Sequence, residues 1–183
     1  YTYYGSELGP GGTNGAANRW VFNTGVETSF KASQLWTGAT NSLLAIDGLR
    51  HIIEPSATYA YVPRPNKTPS QVPQFDTQLP CPELLPVQFP DYNDIDYIDT
   101  ENVLSFGLRN TLQTKRGGQL ENLLNWNARL DWRLKPDAGQ STFNDLYSQL
   151  AFRPRTWIHL LSELRYDINH DDLNMAFHQL TLT

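Results

Sequence analysis

The residues most able to do chemistry in this chain are four histidines, one cysteine and a scatter of acidic side chains. Their spacing assembles no reaction centre. His51, His159, His170 and His178 include no pair at zinc-ligand spacing, and no cysteine lies beside them. Cys81 stands alone, so neither an internal disulfide nor a multi-thiolate metal site can form. Asp167, His170, Asp171 and Asp172 cluster, and they read as a solvated loop tip. Asp91, Asp94, Asp96, Asp99 and Glu101 superficially suggest a calcium loop, but the central Gly and terminal Glu of the EF-hand spacing are missing. There is no G-x-S-x-G, no Gly-rich phosphate loop and no matched acid pair. The expectation is a protein without catalytic, cofactor-binding or metal-binding residues.

A different set of charges has a common address. Arg109, Lys115, Arg129 and Arg133, with Glu121 and Asp131, all fall on the polar side of segments that alternate with period 2. Two chemistries suit them: contact with an anionic glycolipid, or ordinary cross-strand ion pairing.

The elements that must position these groups are long strands. In residues 19–36 one face carries Trp20, Phe22, Thr24, Val26, Thr28, Phe30, Ala32, Gln34 and Trp36, and the other is mainly charged or polar. Residues 103–115 place Leu104, Phe106, Leu108 and Leu112 opposite Ser105, Arg109, Gln113 and Lys115. Residues 120–134 place Leu124, Trp126, Ala128, Leu130 and Trp132 opposite Glu121, Asn125, Arg129 and Asp131. Shorter strands are expected at 2–4, 51–62, 145–153, 156–168 and 173–182. The Gly117-Gly118 pair predicts a tight hairpin, because two successive positive φ values suit glycine. Residues 63–101 form a long proline-rich and acidic connection, and 37–48 a longer link between strands.

Length separates two architectures that both alternate. At about 3.3 Å per residue, 19–36 would extend roughly 55–60 Å, too long for an ordinary sandwich strand but enough to cross a bilayer at a tilt. Tyr59, Tyr61 and Tyr166 stand before loops, and Trp20 and Trp36 bracket an apolar face, as interface girdles do. With Phe22, Phe30, Phe106, Trp126 and Trp132 they make the candidate lipid-facing or interface aromatics.

Composition narrows the choice. Of 183 residues, 39% are hydrophobic and only 18% charged, and the formal charge is -5, from 14 basic against 19 acidic residues. An acidic balance argues against gripping nucleic-acid phosphates. The longest clean apolar run, Leu43-Leu44-Ala45-Ile46, is far short of the roughly 20 residues of a spanning helix. The fold expected is all-β: an antiparallel transmembrane β-barrel segment of about eight long strands, a fragment of a larger barrel. With 63–101 outside the cell, the Gly117-Gly118 and Pro154 turns and the 37–48 link fall on the periplasmic side. Without an initiator Met, and with strand-like segments at both ends, the chain reads as a piece of a longer protein; a mature secreted chain is the alternative. A porin-like or small closed barrel and a soluble carbohydrate-binding β-sandwich remain open on pattern alone.

A collinear series of short matches adds to this reading. Arg50-His51-Ile52-Ile53-Glu54-Pro55-Ser56-Ala57-Thr58-Tyr59 resembles the R-H-x-x-x-P-x-x-x-Y strand of the LPS-assembly outer-membrane protein family LptD (OstA/Imp). Gln74-Phe75-Asp76, an acidic segment to Asp96, and Glu101-Asn102-Val103-Leu104-Ser105-Phe106-Gly107-Leu108 follow in the family's order. Phe143-Asn144-Asp145-Leu146, Phe152-Arg153-Pro154 and Arg165-Tyr166-Asp167 look like its next strands. The resemblance implies the C-terminal part (1–183) of a large barrel in the Gram-negative outer membrane. It implies lipopolysaccharide as cargo and outer-membrane lipid as surroundings. An LptE-like lipoprotein plug and a periplasmic Lpt bridge are the partners it implies. Family members often carry several cysteines; with Cys81 alone, no family-type disulfide can be placed.

Overall fold

The computed structural model describes residues 1–5, 16–75, 96 and 98–183. Cys81, Asp91 and Asp94 lie outside the described residues. Ten strands follow one another: β1 (Thr2–Tyr4), β2 (Ala17–Arg19), β3 (Thr24–Ser29), β4 (Ala32–Asn41), β5 (Ile46–Val62), β6 (Glu101–Arg116), β7 (Gln119–Arg133), β8 (Leu146–Arg155), β9 (Ile158–Asp167) and β10 (Asp172–Leu182). Among the described residues β1 and β2 pair alone, and the others form one open antiparallel sheet of eight strands in the order β10-β9-β8-β7-β6-β5-β3, with β4 also on β5. The all-β, antiparallel expectation holds. No helix among the described residues is long or apolar enough to cross a membrane; crossing by strands is a separate matter.

Residues 19–36 are not one strand. They divide into β2, a link at 20–23 that carries Trp20 and Phe22, β3, a break at Phe30-Lys31, and β4. The break has a cause in β5. Ala32 pairs Ile53, so Phe30 faces Pro55, and the Phe30 N–H donates to the Pro55 carbonyl at 3.3 Å. A hydrogen-bonded antiparallel pair exchanges two bonds, and proline has no N–H to return the second. The ladder fails there, and the strand with it.

A second correction concerns 37–48. Instead of a longer link, β4 runs on to Asn41 and β5 starts at Ile46, leaving only a tight turn. Ala45 (φ 49°) and Gly48 (φ 74°) take left-handed backbone near it, Ser42 accepts the Ala45 N–H, and Asn41 Oδ1 caps the Leu44 N–H. The predicted Gly117-Gly118 turn is present, with φ values of 56° and 82°.

The described residues form two compact units. The first comprises Tyr1–Val26, Thr58–Leu104 and Arg133–Gln140; the second comprises Glu27–Ala57, Ser105–Trp132 and Ser141–Thr183. In the first, Tyr4, Ala60, Val62, Val72 and Val103 are buried. In the second, Leu123 is the one buried hydrophobic among the described residues.

Candidate functional site

Register determines which side chains share a face, because residues directly opposite across an antiparallel ladder point the same way. In the second unit, Leu124, Phe152, Leu160 and Leu180 line up across β7 to β10, and Ala128, Ser148, Leu164 and Ala176 form a parallel row. Between them run Trp126, Leu150, Ser162 and His178. This is the apolar face, and the Trp126 indole N–H is satisfied on it by Ser148 Oγ at 2.9 Å. The opposite face carries Asn127, Gln149 and Glu163 in one row and Arg129, Tyr147 and Arg165 in the next. Gln149 Nε2 donates to Glu163 Oε1 at 2.7 Å. Alternation fades toward β10, where Met175 and Phe177 continue the two polar rows.

The polar-face charges have different fates. Arg109 and Glu54 approach to 3.8 Å, an exposed pair of little energetic weight. Asp131 is only 4% exposed, and its Oδ1 has no hydrogen-bond partner among the described residues. The side chains of Arg129 and Lys115 make no hydrogen bond or ion pair among the described residues. Glu121 accepts from Arg116 at 3.3 Å, and Arg133 closes β7 in the first unit. Cross-strand pairing therefore accounts for Arg109 but not for Arg129.

Arg116, which directly precedes the Gly117-Gly118 turn, organises the tight-turn end. Its side chain is 6% exposed. Nη2 donates to the carbonyls of Leu44, Arg153 and Pro154 at 2.8, 2.9 and 3.0 Å, and Nε donates to Ala45 O at 3.3 Å. One planar guanidinium thus satisfies carbonyls from the β4–β5 turn and from the bulged end of β8, where Pro154 interrupts the register. Arg155 Nη2 adds a bond to Ser42 O at 2.6 Å. Nearby, the buried Thr114 hydroxyl donates to Gly48 O at 2.8 Å and accepts the Asp47 N–H at 3.0 Å. At Gly107 a Cβ would lie 2.4 Å from Ser56 Oγ, so a larger residue there would turn that hydroxyl aside.

The first unit is built around Arg19, which belongs by alternation to the polar face of 19–36 and which the structure buries to 1% exposure. It donates to the carbonyls of Lys67 (3.1 Å), Asp96 (2.9 Å) and Ile98. The Asp96 carboxylate accepts the Tyr4 hydroxyl and the Phe75 N–H at 2.8 Å. Burial, reinforced by the Asp96 hydrogen bond, pushes the Tyr4 phenol up to about 12, so it remains the donor. Gln74 Nε2 ties down Pro69 O and Val72 O at 2.7 and 3.2 Å, around a single 3-10 turn at Pro69–Gln71. Residues 63–75 are thus a structured part of the long connection.

The candidate aromatics distribute as follows. Trp20, Phe22, Phe30, Trp36, Tyr61, Phe106 and Trp132 are exposed, while Tyr59, Trp126 and Tyr166 are half-buried. Trp132 stacks on Phe143 at 6.1 Å, and the Tyr166 hydroxyl donates to Asp171. No group of three or more metal-ligating side chains occurs among the described residues. No curated protein matches the chain, but the model of the family described as LPS transport system D (LptD) matches residues 2–181. An open all-β sheet with one apolar and one polar face, matched over nearly its whole length, belongs to the LptD family of outer-membrane lipopolysaccharide-transport proteins.

Proposed function

We propose that this chain is the C-terminal part of the β-barrel of an LptD protein, resident in the outer membrane, and that it helps insert lipopolysaccharide into the outer leaflet. The observation that carries the reading is the two-faced register of β7 to β9. Leu124, Trp126, Leu150 and Leu160 meet lipid, while Asn127, Arg129, Gln149 and Arg165 line a hydrated lumen. Residues 63–101 stand at the cell surface, because so polar a connection cannot lie in hydrocarbon. The role is passive and non-catalytic. Energy arrives through a periplasmic Lpt bridge, and an LptE-like lipoprotein plug occupies part of the lumen.

The test places a photo-crosslinking residue at Gln149, and separately at Leu150, in the full-length protein in cells. Lipopolysaccharide captured at Gln149 and not at Leu150 is the expected result. Capture at neither, in a barrel that assembles normally, would reject a cargo-facing polar side.

A further inference from the structure

Arg129, Tyr147 and Arg165 stand directly opposite one another across three neighbouring strands, on the polar face. Strands lie about 4.8 Å apart, so the two arginines are spaced by roughly 10 Å with a tyrosine between them. A half-buried guanidinium without a partner carries an uncompensated desolvation cost. The Arg129 side chain has no hydrogen bond or ion pair among the described residues. Acids are close without neutralising it. Asp131 and Glu163 each sit two residues along from one of the arginines, and neither forms an ion pair with Arg129. Glu163 instead accepts from Gln149. Arg109 differs, since it is beside Glu54.

We propose that Arg129, Tyr147 and Arg165 form a phosphate subsite for the phosphate groups of the transported glycolipid. A phosphate monoester bridges such a gap. Its oxygens accept from a guanidinium fork on each side and from the phenol between, and its charge compensates Arg129. The subsite rests on the transport reading above and adds the group that is recognised.

The experiment uses the full-length protein with its lipoprotein partner in detergent, with a photo-crosslinking residue at Gln149. The probes are purified lipopolysaccharide, the same material dephosphorylated, and inorganic phosphate as competitor. Expected are capture of the phosphorylated form and weaker capture of the dephosphorylated form. Arg129→Gln or Arg165→Gln should each lower apparent affinity about tenfold, as loss of a charge-assisted hydrogen bond does. Tyr147→Phe should lower it less, and Asn125→Ala not at all. Competition by millimolar phosphate would show that the phosphate group suffices; resistance to it, with the dephosphorylated form still weak, would show that phosphate is read on the glycolipid. Equal capture of both forms, or affinity unchanged in an Arg129→Gln/Arg165→Gln protein of normal heat-modifiable mobility, would overturn the subsite and leave the transport reading standing. No capture from either form would overturn both.

Discussion

The two units solve opposite problems. The first buries Tyr4, Val62, Val72 and Val103 together with a charged arginine around a polar knot, although Tyr3, Trp20 and Phe22 are exposed. The second turns its hydrophobic residues outward: Phe30 is 67% exposed and Leu180 62% exposed, and Leu123 is its one buried hydrophobic among the described residues. A sheet this exposed has no internal core to hold it, so its stability in isolation must come from its hydrogen-bond ladder. The missing apolar burial is what a bilayer supplies. The contrast teaches where each unit meets its solvent, and it can be broken from either side.

The largest effect is expected in the first unit. Arg19→Ala removes the donor shared by the Lys67, Asp96 and Ile98 carbonyls, a loss of about 2–4 kcal/mol for that unit. Trypsin should then nick the folded protein after Lys67, which the native clasp protects. Arg19→Lys should recover only part, since an ammonium cannot serve three diverging carbonyls as a planar fork does. Unchanged protection in Arg19→Ala would mean the connection is held by Val72 and Phe75 packing instead.

In the second unit the sign of the rule reverses. Leu130→Arg or Phe106→Arg should cost about 2–4 kcal/mol toward the bilayer midplane, by urea unfolding from vesicles. Arg129→Leu, one residue away on the opposite face, should be much milder for insertion. Equal defects at Arg129 and Leu130 would erase the two-faced description. The tight-turn end answers to Arg116: Arg116→Ala should cost about 1.5–3 kcal/mol, because hydrogen bonds from a charged group are lost to several turn carbonyls together. The same assay, with Lys115→Ala as the neutral comparison, measures it.

How much of this was legible follows from the range of each interaction. Alternation is local, so β6, β7, β8, β9 and β10 stand within a residue or two of where period 2 places them. The Gly117-Gly118 turn is local as well. The break at Phe30 was not legible, because it is imposed by Pro55 on another strand, and only the register shows that the two meet. Arg19 alternates as part of the polar face of 19–36, yet its burial depends on Lys67, Asp96 and Ile98 folding back on it. Arg116 has no pattern of its own beyond sitting before two glycines. The charge of the polar face was legible by residue type; which of its arginines is left unpaired was not, since that depends on Glu54 reaching Arg109 and not Arg129.

The smallest expected effect is at the β9–β10 turn of the second unit. His170 Nδ1 lies 2.7 Å from Asp167 Oδ2, and the same carboxylate accepts the Asn169 N–H at 2.8 Å and the His170 N–H at 3.2 Å. The hydrogen bond to Asp167, then its charge and that of Asp172, hold the imidazole above its usual range. A group whose folded pKa is raised contributes fully below its unfolded pKa of about 6.5, and that contribution disappears as pH rises through the folded value. The ring is exposed, so solvent screens the pair and the change stays local to the turn. Amide exchange at residues 168–171 should therefore quicken beyond the intrinsic base-catalysed rate between about pH 6 and pH 8, and His170→Gln should remove that excess. Raising salt should weaken the effect in the native protein. An excess that persists in His170→Gln would assign the turn's order to the backbone bonds on Asp167 alone, which do not titrate in that window.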